Sequence, residues 1–291
     1  MATQISQLAS HTAYLRAIAF VELYGETQTG DWLAHHFVPP DWAESLHTPE
    51  ARDYVKANVM HPGMYAYLTA RTAHMDAVFT QAVADGMRQV VILGAGFDTR
   101  ALRLLPEDSA CRVFELDTAA TQAHKMACLE KIPDVSTRAV RYAAADLRES
   151  DLAYVLSETG ADREARTLFL LEGLTMYLPC DAVNALLGAI HAWAANASRL
   201  VMDYLLEDVL AGETKRHGAA GLPARAESHG EPFQCGYSNN GVEALAKGFG
   251  YGVRHHLKGD DLTARFLRES DLAMTGPINE CFPNIVLTVE R

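Results

Sequence analysis

The chain has 291 residues, 49% of them hydrophobic and 21% charged, which suits one large α/β domain with an appendage and excludes a disordered or low-complexity class. A formal net charge of −12 works against nucleic acid and anionic membranes, so the expected partner is a small molecule or a peptide. Five scattered cysteines (Cys111, Cys128, Cys180, Cys235 and Cys281), odd in number and never spaced as CxxC, argue against a disulfide framework or a zinc site and fit a reducing cytosol.

The first residues, MATQISQLASHTAYLRA, carry no basic start followed by an apolar stretch, so no secretory signal is read there. The longest apolar run, Leu168–Leu178, is interrupted by Glu172 and Gly173 and is too short to span a membrane. A cytoplasmic monomer or homodimer is expected.

In chain order, residues 1–66 read as a helical cap, with helices over Thr12–Leu23 and Pro49–Val59. Between them lie Gly25, Gly30, Pro39 and Pro40 among the aromatics Trp32, Phe37 and Trp42. A lid over a site and a plain structural arm fit this segment equally. Residues 67–291 read as a Rossmann-like domain. A helix over Tyr67–Ala84 ends at Gly86, and Val90–Leu93 is a buried strand running into Gly94. Strand-like Arg112–Leu116, Ala139–Tyr142, Thr167–Leu171 and Arg199–Tyr204 then alternate with helical Ala119–Lys131, Leu152–Glu158 and Asp181–Ala195, the last opened by an Asp cap. This alternation predicts a mostly parallel, doubly wound sheet covered on both faces. Residues 206–236 are polar and Gly-rich, an inserted loop able to cover a substrate. A helix over Asn239–Gly248, a strand over Tyr251–His256, a helix over Asp260–Glu269 and a strand over Asn284–Val289 complete the chain.

The sharpest local signal is VVILGAGFDTR, residues 90–100. The strand ends in Gly94-Ala95-Gly96, where the absence of Cβ atoms lets a ligand approach the backbone, and a helix begins near Thr99. A dinucleotide site wants GxGxxG, with the diphosphate on the helix N-terminus. Here Thr99 takes the third glycine position and Asp98 precedes it, placing a carboxylate where a diphosphate would be repelled. A sulfonium cofactor bearing an ammonium group, S-adenosyl-L-methionine, reverses that sign, and a helix cap is the competing reading for Asp98.

Acids recur at the ends of the next three strands. One of Glu115 and Asp117 is placed to accept from ribose hydroxyls. Asp146 can accept from an adenine amino group while Leu147 packs on the ring, with a helix cap as the competing reading for Asp146. Glu172, following five largely apolar residues, needs a cationic partner such as the amino group of a methionine moiety. Each acid alone is a weak signal, but acids at successive strand ends, where a ligand must lie, form a stronger one.

The blocks LGAGFDTRALRL, FELDTAATQAHK, AADL and LEGLTMYL resemble the leucine carboxyl methyltransferase family over roughly residues 10–205. That family includes enzymes that methylate the C-terminal carboxylate of a protein phosphatase and many bacterial polyketide O-methyltransferases. The resemblance implies a class I methyltransferase fold, with Arg71 pairing with the methionine carboxylate and Gly94 lying against the cofactor. It further implies Asp117 at the ribose, Asp146 and Leu147 at the adenine, and Glu172 near the amino group. The phosphatase-methylating relatives also place an N-terminal lysine near the cofactor carboxylate; here the first lysine is Lys56, and Arg16 is the candidate replacement. The short, Gly-rich stretch after Tyr204 offers no grip for a phosphatase, so a secondary-metabolite or peptide acceptor is expected.

An ionised carboxylate acceptor needs no base, whereas a phenol or alcohol does. Candidate bases are His61, His74 and His229, with Tyr177 as a hydrogen-bonding group toward substrate. His74 follows Arg71 by three residues, on one helical face. Each histidine also has the plainer reading of a packed or solvated residue. No metal site is read from His35–His36 or His255–His256. The absence of an obligatory base motif favours O-methylation of a carboxylate, with a hydroxyl as the alternative. An NAD(P)-dependent oxidoreductase and a non-catalytic cofactor binder are more remote.

Overall fold

The computed structural model describes residues 7–24, 30–268 and 276–291; Gly25 and Glu269 lie outside them. Seven strands, β1 (Gln89–Leu93), β2 (Arg112–Asp117), β3 (Val140–Ala144), β4 (Thr167–Leu171), β5 (Arg199–Asp203), β6 (Tyr251–Leu257) and β7 (Asn284–Val289), form one sheet in the order β3-β2-β1-β4-β5-β7-β6. β1 to β5 run parallel, and β7 is antiparallel to both β5 and β6.

The short Val/Leu/Ile/Phe runs are central strands because both faces are covered. Val91, Leu93, Phe114, Leu116, Phe169, Leu171, Leu200 and Met202 face one layer. Their alternating neighbours Val90, Ile92, Val113, Leu168, Leu170 and Val201 face Met75, Phe79 and Ala82 of the helix Met64–Ala84. That helix has 21 residues, about 30 Å of rod, and brings Arg71 to the same sheet end as Gly94.

Side-chain caps start three of the described helices. Thr118 accepts from Thr121 N, Asp151 from Tyr154 N and Ser238 from Gly241 N. The expected Asp cap at 181 is different: the helix runs Cys180–Trp193 from Pro179, and Asp181 sits in its first turn, complementing the helix dipole.

The N-terminal helix Gln7–Ala19 crosses over the sheet end, while Ala13, Leu33 and Phe37 pack with Phe97, Leu129 and Ile132. Residues 206–236 form a pinned excursion in place of a featureless loop, with helical stretches at Glu207–Leu210 and Leu222–Ser228. Leu206 bridges to Tyr237, Gln234 N donates to Met176 O at 2.8 Å, and Cys235 is joined to Cys180. That disulfide corrects the expectation of unpaired cysteines. The two lie 55 residues apart, and only the tertiary fold brings their backbones together. No described helix is long and apolar enough to cross a membrane.

Candidate functional site

A cavity of about 320 Å³ opens over the carboxyl ends of β1, β2 and β4, where β1 lies between strands that continue in opposite directions across the sheet. Gly94, Ala95 and Gly96 line its inner end. Gly94 has φ +65 and Gly96 φ +47, a backbone that glycine adopts without strain. A Cβ on Gly94 would come within 2.8 Å of Leu174. The turn is tied to β2: Gly94 N and Ala95 N donate to Leu116 O, and Gly96 N donates to Asp117 Oδ2 at 2.7 Å.

Asp117 also accepts from Thr118 N at 2.6 Å, which fixes its carboxylate at the cavity wall. Glu115, the other acid left open for ribose, is turned away from the cavity. Two residues back along β2 it is buried and ion-paired with Lys125, so its place is in the packing beneath the site.

Arg71 is buried at the cavity wall. Its Nη1 donates to Asp203 Oδ2 at 2.8 Å, and Asp203 also accepts from Tyr67 OH at 2.8 Å and Gly173 N at 2.6 Å. Arg71 Nε lies 2.9 Å from Glu172 Oε1, yet the angle makes no hydrogen bond, so both buried atoms lack such a partner among the described residues. Glu172 Oε2 meets Arg100 Nη1 at 2.6 Å. Burial pushes the Glu172 carboxyl up, but Arg100 and Arg71 outweigh it and hold it at about 2, so it stays ionised.

Asp98 lines the cavity, but its carboxylate accepts from Arg100 N at 2.7 Å and pairs with the Arg100 guanidinium. The N-cap position of the helix Arg100–Arg103 is Thr99, so Asp98 is one residue before the cap, and its carboxylate is taken up by Arg100. Asp146 pairs with Arg148 at the surface, Nη2 to Oδ2 at 2.6 Å, while Leu147 packs on the core; neither lines the cavity. From the cap, Arg16 reaches the cavity wall, donating to Phe97 O at 2.8 Å and pairing with Asp31 at 3.3 Å.

Tyr177, His61 and His229 all line the cavity. Tyr177 lies 5.4 Å from Phe233, and burial raises its phenol pKa, so it can donate a hydrogen bond but is no base at neutral pH. His61 Nε2 lies 2.8 Å from Gly218 O, and the His229 ring is 5.0 Å from His11. His74 is the exception. One turn beyond Arg71, it is 2% exposed, packs 5.4 Å from Phe266 and does not line the cavity.

Burial lowers the His74 pKa to about 4, with Arg265 adding to the effect. The unfolded chain therefore takes up a proton near pH 6.5 that the folded chain refuses until about 4, so stability is lost as pH falls through that window. Between pH 7.5 and pH 5 this group should remove about 2 kcal/mol from the unfolding free energy. Urea unfolding at the two pH values should show a drop of that size in the wild type and not in His74→Leu; equal drops would refute it.

Asp203, Arg100 and Asp76 join the site without having been singled out by the sequence motifs. Asp203 ends β5 as Glu172 follows β4, so the strand-end acid pattern that found the others extends to it. Arg100 is fully buried, bonding Asp76 at 2.8 Å as well as Glu172 and Asp98, and no local pattern distinguishes it from a surface arginine.

The family model described as leucine carboxyl methyltransferase matches residues 9–191, well over half of the chain. A Streptomyces avermitilis protein named provisionally as an S-adenosyl-L-methionine-dependent methyltransferase is 40% identical over 163 residues, 55% of each chain. A Mycolicibacterium vanbaalenii protein with the same provisional name is 38% identical over 191 residues, 62% of this chain and 60% of that one. The aligned part thus spans little more than half the length of these relatives. Among solved structures, a provisionally named methyltransferase of Thermobifida fusca superposes with a TM-score of 0.62 at 16% identity, over 100% of this chain and 97% of that one. A DUF574 family protein of Streptomyces avermitilis gives 0.56 at 13% identity, over 94% and 96%. At these identities the superpositions establish a shared fold. Through the match to residues 9–191, this chain belongs to the leucine carboxyl methyltransferase family.

Proposed function

We propose that the protein transfers the methyl group of S-adenosyl-L-methionine to a carboxylate oxygen of a small-molecule or peptide acceptor, leaving S-adenosyl-L-homocysteine. The observation that carries this reading is the misaligned Arg71–Glu172 pair at the cavity wall. A guanidinium and a carboxylate side by side at the cavity wall, their facing atoms 2.9 Å apart without a hydrogen bond, suit the carboxylate and ammonium of an α-amino acid bound alongside them. Asp117 is held where a ribose diol can donate to it, and the Gly94–Gly96 turn leaves room for the ligand beside it. The names of the relatives support the same donor.

A dinucleotide fits less well. Its diphosphate would face Asp98, Asp117 and Glu172, and the helix start that should receive it is occupied by Asp98.

When bound, the donor supplies an electrophilic methyl group; the chain's own task is to align an acceptor oxygen with it and keep water out. For an ionised acid no residue needs to remove a proton. A hydroxyl acceptor is the second reading, favoured by the presence of His229 in the cavity wall. Incubation with methyl-labelled donor and a panel of monocarboxylic acids and phenols separates them. The expected product is an alkali-labile methyl ester, formed with kcat/KM flat between pH 6 and 8. An alkali-stable ether, formed at a rate that climbs with pH, would overturn the carboxylate assignment. Thermal stabilisation by NADH but not by S-adenosyl-L-homocysteine would overturn the donor.

A further inference from the structure

Beyond the residues suited to the donor, the cavity has a second half built from Met60, Met64, Met176, Leu222, Phe233 and Phe282. Set into this apolar wall is Arg225, on the helix Leu222–Ser228, where it donates from Nη2 to the carbonyl of Val59. The other two arginines in the cavity wall are neutralised, Arg16 by Asp31 and Arg71 by Glu172 and Asp203. Arg225, partly buried, forms no ion pair with a described residue. The acid that shares this half, Glu231, accepts from Leu8 N at 3.3 Å and does not pair with Arg225.

His61 and His229 also line this half, and the positive charge of Arg225 helps burial hold His61 below its usual pKa. Because Glu231 shares this half, the positive charge is confined to Arg225 itself, in a chain of net charge −12. A guanidinium held in place by a backbone carbonyl, partly desolvated and without an ion pair to a described residue, favours an incoming carboxylate.

We propose that Arg225 is the specificity-determining residue for the acceptor, anchoring the carboxylate of a monocarboxylic acid whose aliphatic or arylalkyl body lies against the methionines and phenylalanines. This rests on reading the cavity as a methyl-transfer site. One cation with no ion pair among the described residues calls for one anion, so a dicarboxylate or sugar acid is disfavoured. Three adaptable methionine side chains suit a range of hydrocarbon shapes. In the reaction, a lone pair on the carboxylate oxygen forms the O–C bond while the methyl–sulfur bond breaks and its electron pair stays on sulfur. Anion and sulfonium become a neutral ester and a neutral thioether, and no proton moves. The ester no longer attracts Arg225, so the charge that selects the substrate also releases the product.

The test is calorimetric titration of protein saturated with S-adenosyl-L-homocysteine, using octanoate, 4-phenylbutyrate and the primary amide of each. Both acids should bind at least tenfold more tightly than their amides. Arg225→Gln should erase that difference, and Arg225→Lys should restore part of it. Equal binding of acids and amides, no binding of either acid, or an acid preference that survives in Arg225→Gln would overturn the proposal. Saturation by S-adenosyl-L-homocysteine, measured first on the wild type and on each variant, separates this outcome from failure of the donor reading: a wild type that does not bind it refutes the donor site, whatever the acids do.

Discussion

Arg71→Ala should abolish binding of S-adenosyl-L-homocysteine, weakening it at least a hundredfold, and should also destabilise the fold. Two effects coincide at this residue. The Arg71 guanidinium at the cavity wall would hold the ligand carboxylate through charge-assisted bonds, each worth roughly 1.5–3 kcal/mol, so losing two reaches a hundredfold or more. The same side chain also neutralises Glu172 and Asp203, and Asp203 is entirely buried. Its removal leaves an uncompensated charge in the interior, a change that costs about 3–5 kcal/mol. A domain with ordinary stability remains folded after such a loss, so calorimetry at 20 °C and urea unfolding can be read separately on one preparation. Unchanged affinity would remove Arg71 from the donor site, and an unchanged urea midpoint would show that the buried network does not depend on it.

The second large effect concerns the two acids of β2. In Asp117→Asn one carboxylate oxygen becomes an amide nitrogen, so Gly96 N or Thr118 N must face a donor, and an acceptor for the ribose is lost. S-adenosyl-L-homocysteine affinity should fall tenfold to a hundredfold, roughly 1.4–2.7 kcal/mol. Glu115→Gln should do the opposite. Its partner Lys125 is buried with it beneath the site, so stability falls while ligand affinity stays within about twofold. Calorimetric Kd values and urea midpoints for the pair decide the matter: a loss of affinity in Glu115→Gln equal to that in Asp117→Asn would refute the assignment of Asp117 to the ligand.

That contrast shows what the sequence could and could not specify. The strands β1, β4 and β5 were legible because a strand buried on both faces must be a short unbroken apolar run, and each of these runs ends near an acid. Glu115 and Asp117 were not separable, because residues two apart on a strand point to the same face. What distinguishes them is that Asp117 lies at the strand's end, where the sheet stops and the cavity begins. His74 misled for a related reason. A spacing of three puts it on the side of Arg71 but a turn farther along the axis, where Phe266, almost two hundred residues later in the chain, covers it. Arg225 and Phe282 carried no local signal at all, since only the folded return of the late chain brings them to the cavity.

The link between Cys180 and Cys235 closes a ring around β5 and the helix Cys180–Trp193, and that ring contains Asp203, the brace of Arg71, as well as Arg225, His229 and Phe233. A cross-link over 55 residues removes a large share of the conformations open to the unfolded chain, about 4 kcal/mol on the chain-entropy estimate. Much of what keeps both ends of the pocket assembled is therefore disorder denied to the denatured ensemble, a contribution that no contact in the folded site records.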